Sequence, residues 1–221
     1  MKKTIFVLTG LMGLGNLYAQ VREGTVVYEQ KVNMHKTIQD EQMKAMLPEF
    51  RTNKFQLLFS DSVSVYKMVP EDEAPDPFGG GPRIVIRMGG GGGDLYKNLS
   101  QSKSVQSSEV GGKNFLITDS IRQQPWKLST ETQQILGYTC HKATCKIMQA
   151  SPTMRRVIMN GGGGPVSDTT QKASAGREVE VVAWYADDLL SPTGPENYGQ
   201  LPGVILQLNV DNGTTVYTAT E

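Results

Sequence analysis

Cysteine and histidine are each present only twice in the 221 residues. Two cysteines permit at most one internal disulfide, and His35 and His141 are the only imidazole bases available to a nucleophile. An excess of one charge is missing too, because 22 Lys and Arg balance 22 Asp and Glu. The chain therefore has no basic stripe of the kind nucleic-acid binding needs. Beyond the first twenty residues, apolar runs stay as short as Val181–Tyr185, far below the ~20 residues of a membrane-spanning helix. Glycine is plentiful at 24 residues, yet it builds no phosphate-cradling loop. Gly112-Lys113 is followed by Asn114 where a P-loop needs Ser or Thr, and the upstream glycine of that motif is missing.

The N-terminus does carry a pattern. Lys2 and Lys3 precede an apolar stretch from Ile5 to Leu17, and Leu17-Tyr18-Ala19 places a small residue at a cut position. That order is the one a secretory signal uses, and it predicts cleavage before Gln20. A buried N-terminal helix fits the order less well. No cysteine follows the apolar stretch, so lipid anchoring is not expected. Residues 1–19 thus read as a signal peptide and 20–221 as a single β-rich domain, exported to the periplasm or the outer face of the cell envelope.

Apolar periodicity in that domain is mostly of period two. Gly24–Asn33, Lys54–Phe59, Ser62–Val69, Arg83–Arg87, Asp94–Leu99, Lys103–Val110 and Lys113–Asp119 read as strands. Trp126–Leu128, Gln134–Met148, Arg177–Tyr185, Val204–Val210 and Thr214–Thr220 follow. Ser60-Asp61 and Asp211-Asn212-Gly213 supply turns, the latter because Asn and Gly accept positive φ. Thr37–Leu47 instead holds good helix formers between Thr37, with Asp40 three places on, and Pro48 as the stop, which predicts one short helix. Glycine clusters at Gly79–Gly81, Gly89–Gly93 and Gly161–Gly164 gain nothing from ordering, so loops are expected near 71–93 and 160–176. Glu71–Pro77 adds carboxylates to the first, and a solvated loop accounts for them better than a calcium site. The fold class is mainly β: a curved antiparallel sheet, either a sandwich or an incomplete barrel, with one short helix near the N-terminus.

Two blocks carry a resemblance. The first is Trp126-Lys127, then Ile135-Leu136-Gly137-Tyr138-Thr139-Cys140, then Lys142-Ala143. The second is Ala183-Trp184-Tyr185, Gly194-Pro195 and Leu201-Pro202-Gly203-Val204-Ile205-Leu206. In that order they resemble the bacterial GLPGLI family. The signature departs from the family pattern at Gln200, where its first Gly belongs, and at Val204, where it has Leu. The resemblance implies an exported protein without an assigned activity or catalytic residue. Leu201-Pro202-Gly203 reads as a type II turn with Gly203 at positive φ, and so as a setter of the fold. The block pattern is also similar to the sheet-and-helix lipoprotein carriers, an analogy of fold alone.

Reactive chemistry finds little support along these strands. Cys140 and His141 are neighbours, and neighbours on a strand point to opposite faces. His141 and Cys145 share a face but stand ~13 Å apart along it, far beyond a shared zinc ion. A Cys140–Cys145 disulfide would need a bulge or turn, since an extended pair at that spacing lies ~16 Å apart. Cys140 is therefore expected as a small buried residue. Met34, His35, Met43 and Met46 form the sharpest candidate site, a soft donor set suited to copper or silver. Their alternative role is as adaptable apolar filler. Asp187 and Asp188 could serve a hydrolase, although adjacent positions on a strand splay apart.

The sequence thus points to a non-catalytic envelope binding or accessory protein, with no cofactor expected beyond the copper alternative. Its partner would be an envelope protein, a peptide or a hydrophobic ligand. Periplasmic soft-metal binding stands second and hydrolysis last.

Overall fold

The structure is a computed structural model that describes residues 21–38, 41–70, 93–110, 113–149 and 176–221. The expected leader at 1–19, the Arg83–Arg87 strand and the glycine clusters lie outside these residues, apart from Gly93.

Eleven strands are described: β1 Gly24–Asn33, β2 Phe50–Phe59, β3 Val63–Met68, β4 Leu95–Asn98, β5 Lys103–Val110, β6 Lys113–Ser120, β7 Lys127–Ile135, β8 Tyr138–Gln149, β9 Arg177–Ala186, β10 Val204–Val210 and β11 Thr215–Ala219. They form one antiparallel sheet in the order β6-β5-β4-β3-β2-β1-β11-β10-β9-β8-β7. The sandwich alternative is therefore set aside in favour of a single sheet that is not closed. β6 and β7 are neighbours in sequence yet stand at its opposite edges.

Period-two alternation decides which face is buried. In β1, Val26, Tyr28 and Gln30 point inward, while Thr25, Glu29 and Lys31 are exposed. Register carries that phase across the sheet. Tyr28 pairs with Ala219 and Phe55, Leu57 with Tyr66, Leu208 with Ala183 and Ala143 with Ala183. Most of the core lies on this one face, and it includes Leu57, Val181, Ala183, Leu208 and Tyr217.

The connection from β9 to β10, residues 187–203, crosses the same face and proves that it is concave. Glu196 accepts from Lys97 of β4 through its backbone oxygen, at 2.9 Å, and from Tyr217 of β11 through its carboxylate, at 2.5 Å. β4 and β11 are four places apart in the sheet, which is ~19 Å if the sheet were flat. One residue can meet both only if the sheet curls around it.

Several local expectations change. Helix appears as two short pieces, α1 Met34–Thr37 and α2 Glu41–Met46, with Ile38 extended between α1 and the undescribed 39–40. The cap of α1 is Asn33, whose Oδ1 accepts the Lys36 N–H at 3.0 Å. Thr37 ends α1 instead of starting a helix, its hydroxyl donating back to the Met34 carbonyl at 2.8 Å. Ile38 leaves the helical conformation and is buried. The expected strand Gln134–Met148 is interrupted at Leu136 and Gly137, with φ of 52° and 84°. Two successive positive φ values are those of a type I′ hairpin, so β7 extends back to Lys127. Asn212 and Gly213 take the positive φ that the hairpin reading required, and Asp211 takes it as well.

Gly203 is a correction of mechanism. It is absent from the positive-φ residues, and the strained position is Gln200 at φ 64°. A Cβ on Gly203 would stand 1.8 Å from the Ala186 carbonyl oxygen, so glycine is required there by close backbone approach. Gly203→Ala is therefore expected to lower unfolding stability by about 3 kcal/mol. Urea melts check this, and an alanine variant as stable as the parent would show that the two backbones do not meet.

Candidate functional site

β4 sets Leu95 and Lys97 in phase on the concave face, opposite Tyr66 and Ser64 of β3. That places a lysine where a strand of this sheet would normally bury an apolar side chain. Lys97 is 2% exposed. Its ammonium donates to the backbone oxygens of Gly194, Glu196 and Tyr198 at 2.9, 2.9 and 3.1 Å. Burial pulls its pKa down to about 7, against the opposing pull of the Glu196 carboxylate. Three acceptors match the three N–H bonds of an ammonium, whereas a neutral amine has only two and a lone pair.

Around this cation runs a polar chain. Asn53 donates to Gln30 at 2.8 Å, Gln30 to the Tyr217 hydroxyl at 2.9 Å, and Tyr217 to the Glu196 carboxylate at 2.5 Å. Burial pushes the Glu196 pKa up, outweighing the Tyr217 hydrogen bond and the charge of Lys97. Ser64 and Thr193 share a hydrogen bond at 2.9 Å, and Tyr28 donates to the Ile205 carbonyl at 2.5 Å. Tyr66 stacks on Phe55 with centroids 4.9 Å apart, and its buried hydroxyl has no hydrogen-bond partner among the described residues. Burial and then the nearby Glu196 carboxylate raise its pKa, so the phenol stays protonated.

This cluster can fasten a loop. Each N–H of the Lys97 ammonium is spent on a backbone carbonyl of that loop. Sequence reasoning did not identify Lys97, Glu196, Tyr66 or Tyr217. A signal existed in the phase of Leu95-Tyr96-Lys97, where the lysine shares the inward phase of the leucine.

Several residues carrying the family resemblance lie on the same loop or on the connection fastened to it. Trp126 donates its indole N–H to the Gly199 carbonyl at 2.8 Å. The Gln200 side chain binds the 121–126 connection to the loop, its Oε1 accepting the Gln124 N–H at 2.9 Å and its Nε2 donating to the Arg122 carbonyl at 2.8 Å. These bonds offset the strain of a non-glycine residue at positive φ. A Cβ on Gly194 would meet Ile205 at 2.8 Å, and Pro195 and Leu201 are buried. Pro202 sits in the bend before Gly203. Gly137 makes the β7–β8 turn, and Tyr138 begins β8, packed on the core. Trp184 lies 5.9 Å from the Lys142 ammonium, and Tyr185 is buried beside His141, with ring centroids 5.9 Å apart.

Cys140 and Cys145 are free and buried. The regular β8–β9 register places them on opposite faces. Burial pushes both thiols up to about 11, which leaves them protonated at neutral pH. His141 turns away from Cys140 and stands 3.5 Å from the Asp187 carboxylate. Asp188 receives the backbone N–H of Val21 at its carbonyl, 3.1 Å away.

Met34 and His35 lie in α1, with Met43 and Met46 in α2. His35 Nε2 is 3.0 Å from the Leu47 carbonyl. A carbonyl accepts, so that nitrogen carries the hydrogen and is occupied. The Met43 and Met46 side chains lie outside the described structure.

At one end of the sheet, Val21, Thr25, Val26, Phe59, Leu136, Tyr138, Leu189, Leu206, Gly24 and Glu221 line a half-open, mostly apolar cleft of about 250 Å³.

Residues 126–207, less than half of the chain, match a family model described as "Protein of unknown function (Porph_ging)", a domain of bacterial proteins. The match covers β7 to β9, the fastened loop and most of β10. No curated protein matches. Among solved structures, "Structure of PNGF-II in C2 space group" is similar at TM-score 0.53 and 16% identity, covering 91% of this chain and 27% of that one. "Structure of PNGF-II in P21 space group" is similar at TM-score 0.52 and 16% identity, covering 91% of this chain and 28% of that one. The chain thus spans about a quarter of those structures, and the likeness is one of fold.

Lys97→Met should destabilise the protein by roughly 3 kcal/mol at neutral pH, because three buried carbonyls lose their donor. The pH dependence follows from the lowered pKa. Between about 7 and 10.5 the unfolded chain binds the lysine proton more strongly than the folded one, so this group's contribution to stability rises with pH across that window. Below it the contribution is flat. The parent should gain about 2 kcal/mol on the Met variant between about pH 7.5 and 9.5. Paired denaturant melts at both pH values test the sign.

Proposed function

We propose that this chain is an exported bacterial cell-envelope protein of the GLPGLI family, acting by binding or as an accessory to another protein rather than by catalysis. The observation carrying the binding reading is the half-open apolar cleft between the start of β1, the β7–β8 turn and Leu206. Its walls are Val26, Phe59, Leu136, Tyr138, Leu189 and Leu206, with Thr25 and Glu221 as polar groups at its rim. At about 250 Å³ it is smaller than the usual drug-sized pocket and matches one apolar side chain or a small hydrophobic moiety. An anchor residue of a peptide or partner protein fits that size better than a whole lipid tail.

The non-catalytic part of the reading rests on how the buried polar groups are used. Lys97 and Glu196 hold backbone and tyrosine, and the thiols are pushed away from the thiolate form. Export rests on the Lys2–Ala19 pattern. Among the described residues no helix is long and apolar enough to cross a membrane.

Two measurements test this reading. Expressed with its own N-terminus, the chain should be recovered from the periplasmic fraction with a mass that starts at Gln20, and an uncleaved cytoplasmic product would sink export. The fluorescent probe N-phenyl-1-naphthylamine should bind saturably at the cleft. Leu136→Trp, which enlarges an exposed side chain in the cleft wall, should weaken that binding by about tenfold, equivalent to ~1.4 kcal/mol. Saturable binding unchanged by Leu136→Trp, or none at all, removes the cleft as the site.

A further inference from the structure

The two edges of the sheet differ in kind. β7 is blunted, because its register shifts between Leu128 and Thr132. A bulge is a usual protection of an open edge. β6 has neither bulge nor proline. Its eight residues pair one-to-one with β5, and no described strand lies on its other side. Every residue of β6 is exposed. Three consecutive ones are large and apolar: Phe115 at 48%, Leu116 at 76% and Ile117 at 53%. Exposure on both faces means that neither the core nor the 187–203 loop explains them.

The hydrogen-bond phase shows which groups are unspent. Ile121 N–H donates to the Ser102 carbonyl at 2.9 Å, so Ile121 faces β5. Ser107 N–H donates to the Asp94 carbonyl at 3.0 Å, which turns Ser107 towards β4 and agrees with that phase. Bonding alternates along an antiparallel strand. Phe115, Ile117 and Asp119 therefore face β5, while Asn114, Leu116 and Thr118 present their N–H and C=O groups to the edge on which no described strand lies.

We propose that β6 is the pairing edge of a symmetric dimer, in which two copies of this chain join antiparallel with Leu116 opposite Leu116 of the second copy. This goes beyond the cleft and does not depend on it. In that register Asn114 and Thr118 occupy hydrogen-bonded positions with their counterparts, as does Leu116. The intervening positions, where side chains stand closer, set Lys113 against Asp119 and Phe115 against Ile117. Sliding by two residues sets Lys113 against Ile117 or Asp119 against Phe115. Sliding by one faces spent groups with unspent ones. Only the centred register makes the strand complementary to itself in both charge and apolar shape.

The test is the oligomeric state of the full chain, measured by sedimentation and light scattering across micromolar concentrations. The parent should pass from monomer to dimer as concentration rises. Asp119→Lys sets two lysines opposite each other, and Lys113→Asp sets two aspartates. Each should raise the dimer Kd by roughly tenfold or more. The double variant Lys113→Asp with Asp119→Lys restores opposite charges and should return the Kd to near the parent value. Both positions changed are exposed, so unchanged circular dichroism and melting temperature separate loss of pairing from loss of fold. Leu116→Lys, which brings like charges together on the two-fold axis, provides an independent second disruption. A chain monomeric at every concentration overturns the proposal, even if it takes up an unrelated strand peptide at β6. A dimer indifferent to the single charge changes, or one the double variant fails to restore, overturns it equally.

Discussion

A buried ammonium bound to three backbone carbonyls is the constraint from which the interior of this protein follows. Residues 187–203 form a long connection without regular secondary structure, and its carbonyls would be costly to bury unpaired. Lys97 supplies three donors at one point and so lets Gly194, Glu196 and Tyr198 sit against the sheet. The Glu196 carboxylate is then carried to Tyr217, Thr193 to Ser64, and Gly194 to Ile205. Among the described residues, it is this loop that covers the concave face.

Topology explains why such a cover is needed. The first and last strands pair at the middle of the sheet, and the chain then runs outward as two meanders ending at β6 and β7. Pairing of those two consecutive strands would close the ring, but 121–126 joins them across an opening instead. Trp126 and Gln124 fasten that connection to Gly199 and Gln200, so the loop inside and the bridge across the opening brace each other. Long-range pairing of this kind, with Gly24–Asn33 finding Thr215–Ala219, is the sort that slows folding, because a long loop must close before it forms.

Much of the strand pattern was legible because its physics is local. Gly24–Asn33 alternates cleanly, Val204–Val210 does so from Leu206 on, and Asp211-Asn212-Gly213 announces its hairpin by residues that tolerate positive φ. Legibility failed where a distant partner overrode local preference. Leu136 takes positive φ because β7 must turn onto β8, and Ile38 leaves the helix and is buried. Gly203 is glycine because Ala186 comes from another strand to meet it, a contact that no reading of Leu201-Pro202-Gly203 alone could contain.

The sequence by itself determined the strand-rich class, the alternation that separates inside from outside, the opposed directions of Cys140 and His141, and a leader pattern at its start. All of these depend on the identity and spacing of neighbours along the chain. Only the tertiary structure decided that the sheet is single and open, that Lys97 faces inward onto the loop, and that no described strand pairs with the outer edge of β6. Each of these is a relation between segments far apart in sequence, set by which strand lies beside which and by where a buried charge finds its acceptors.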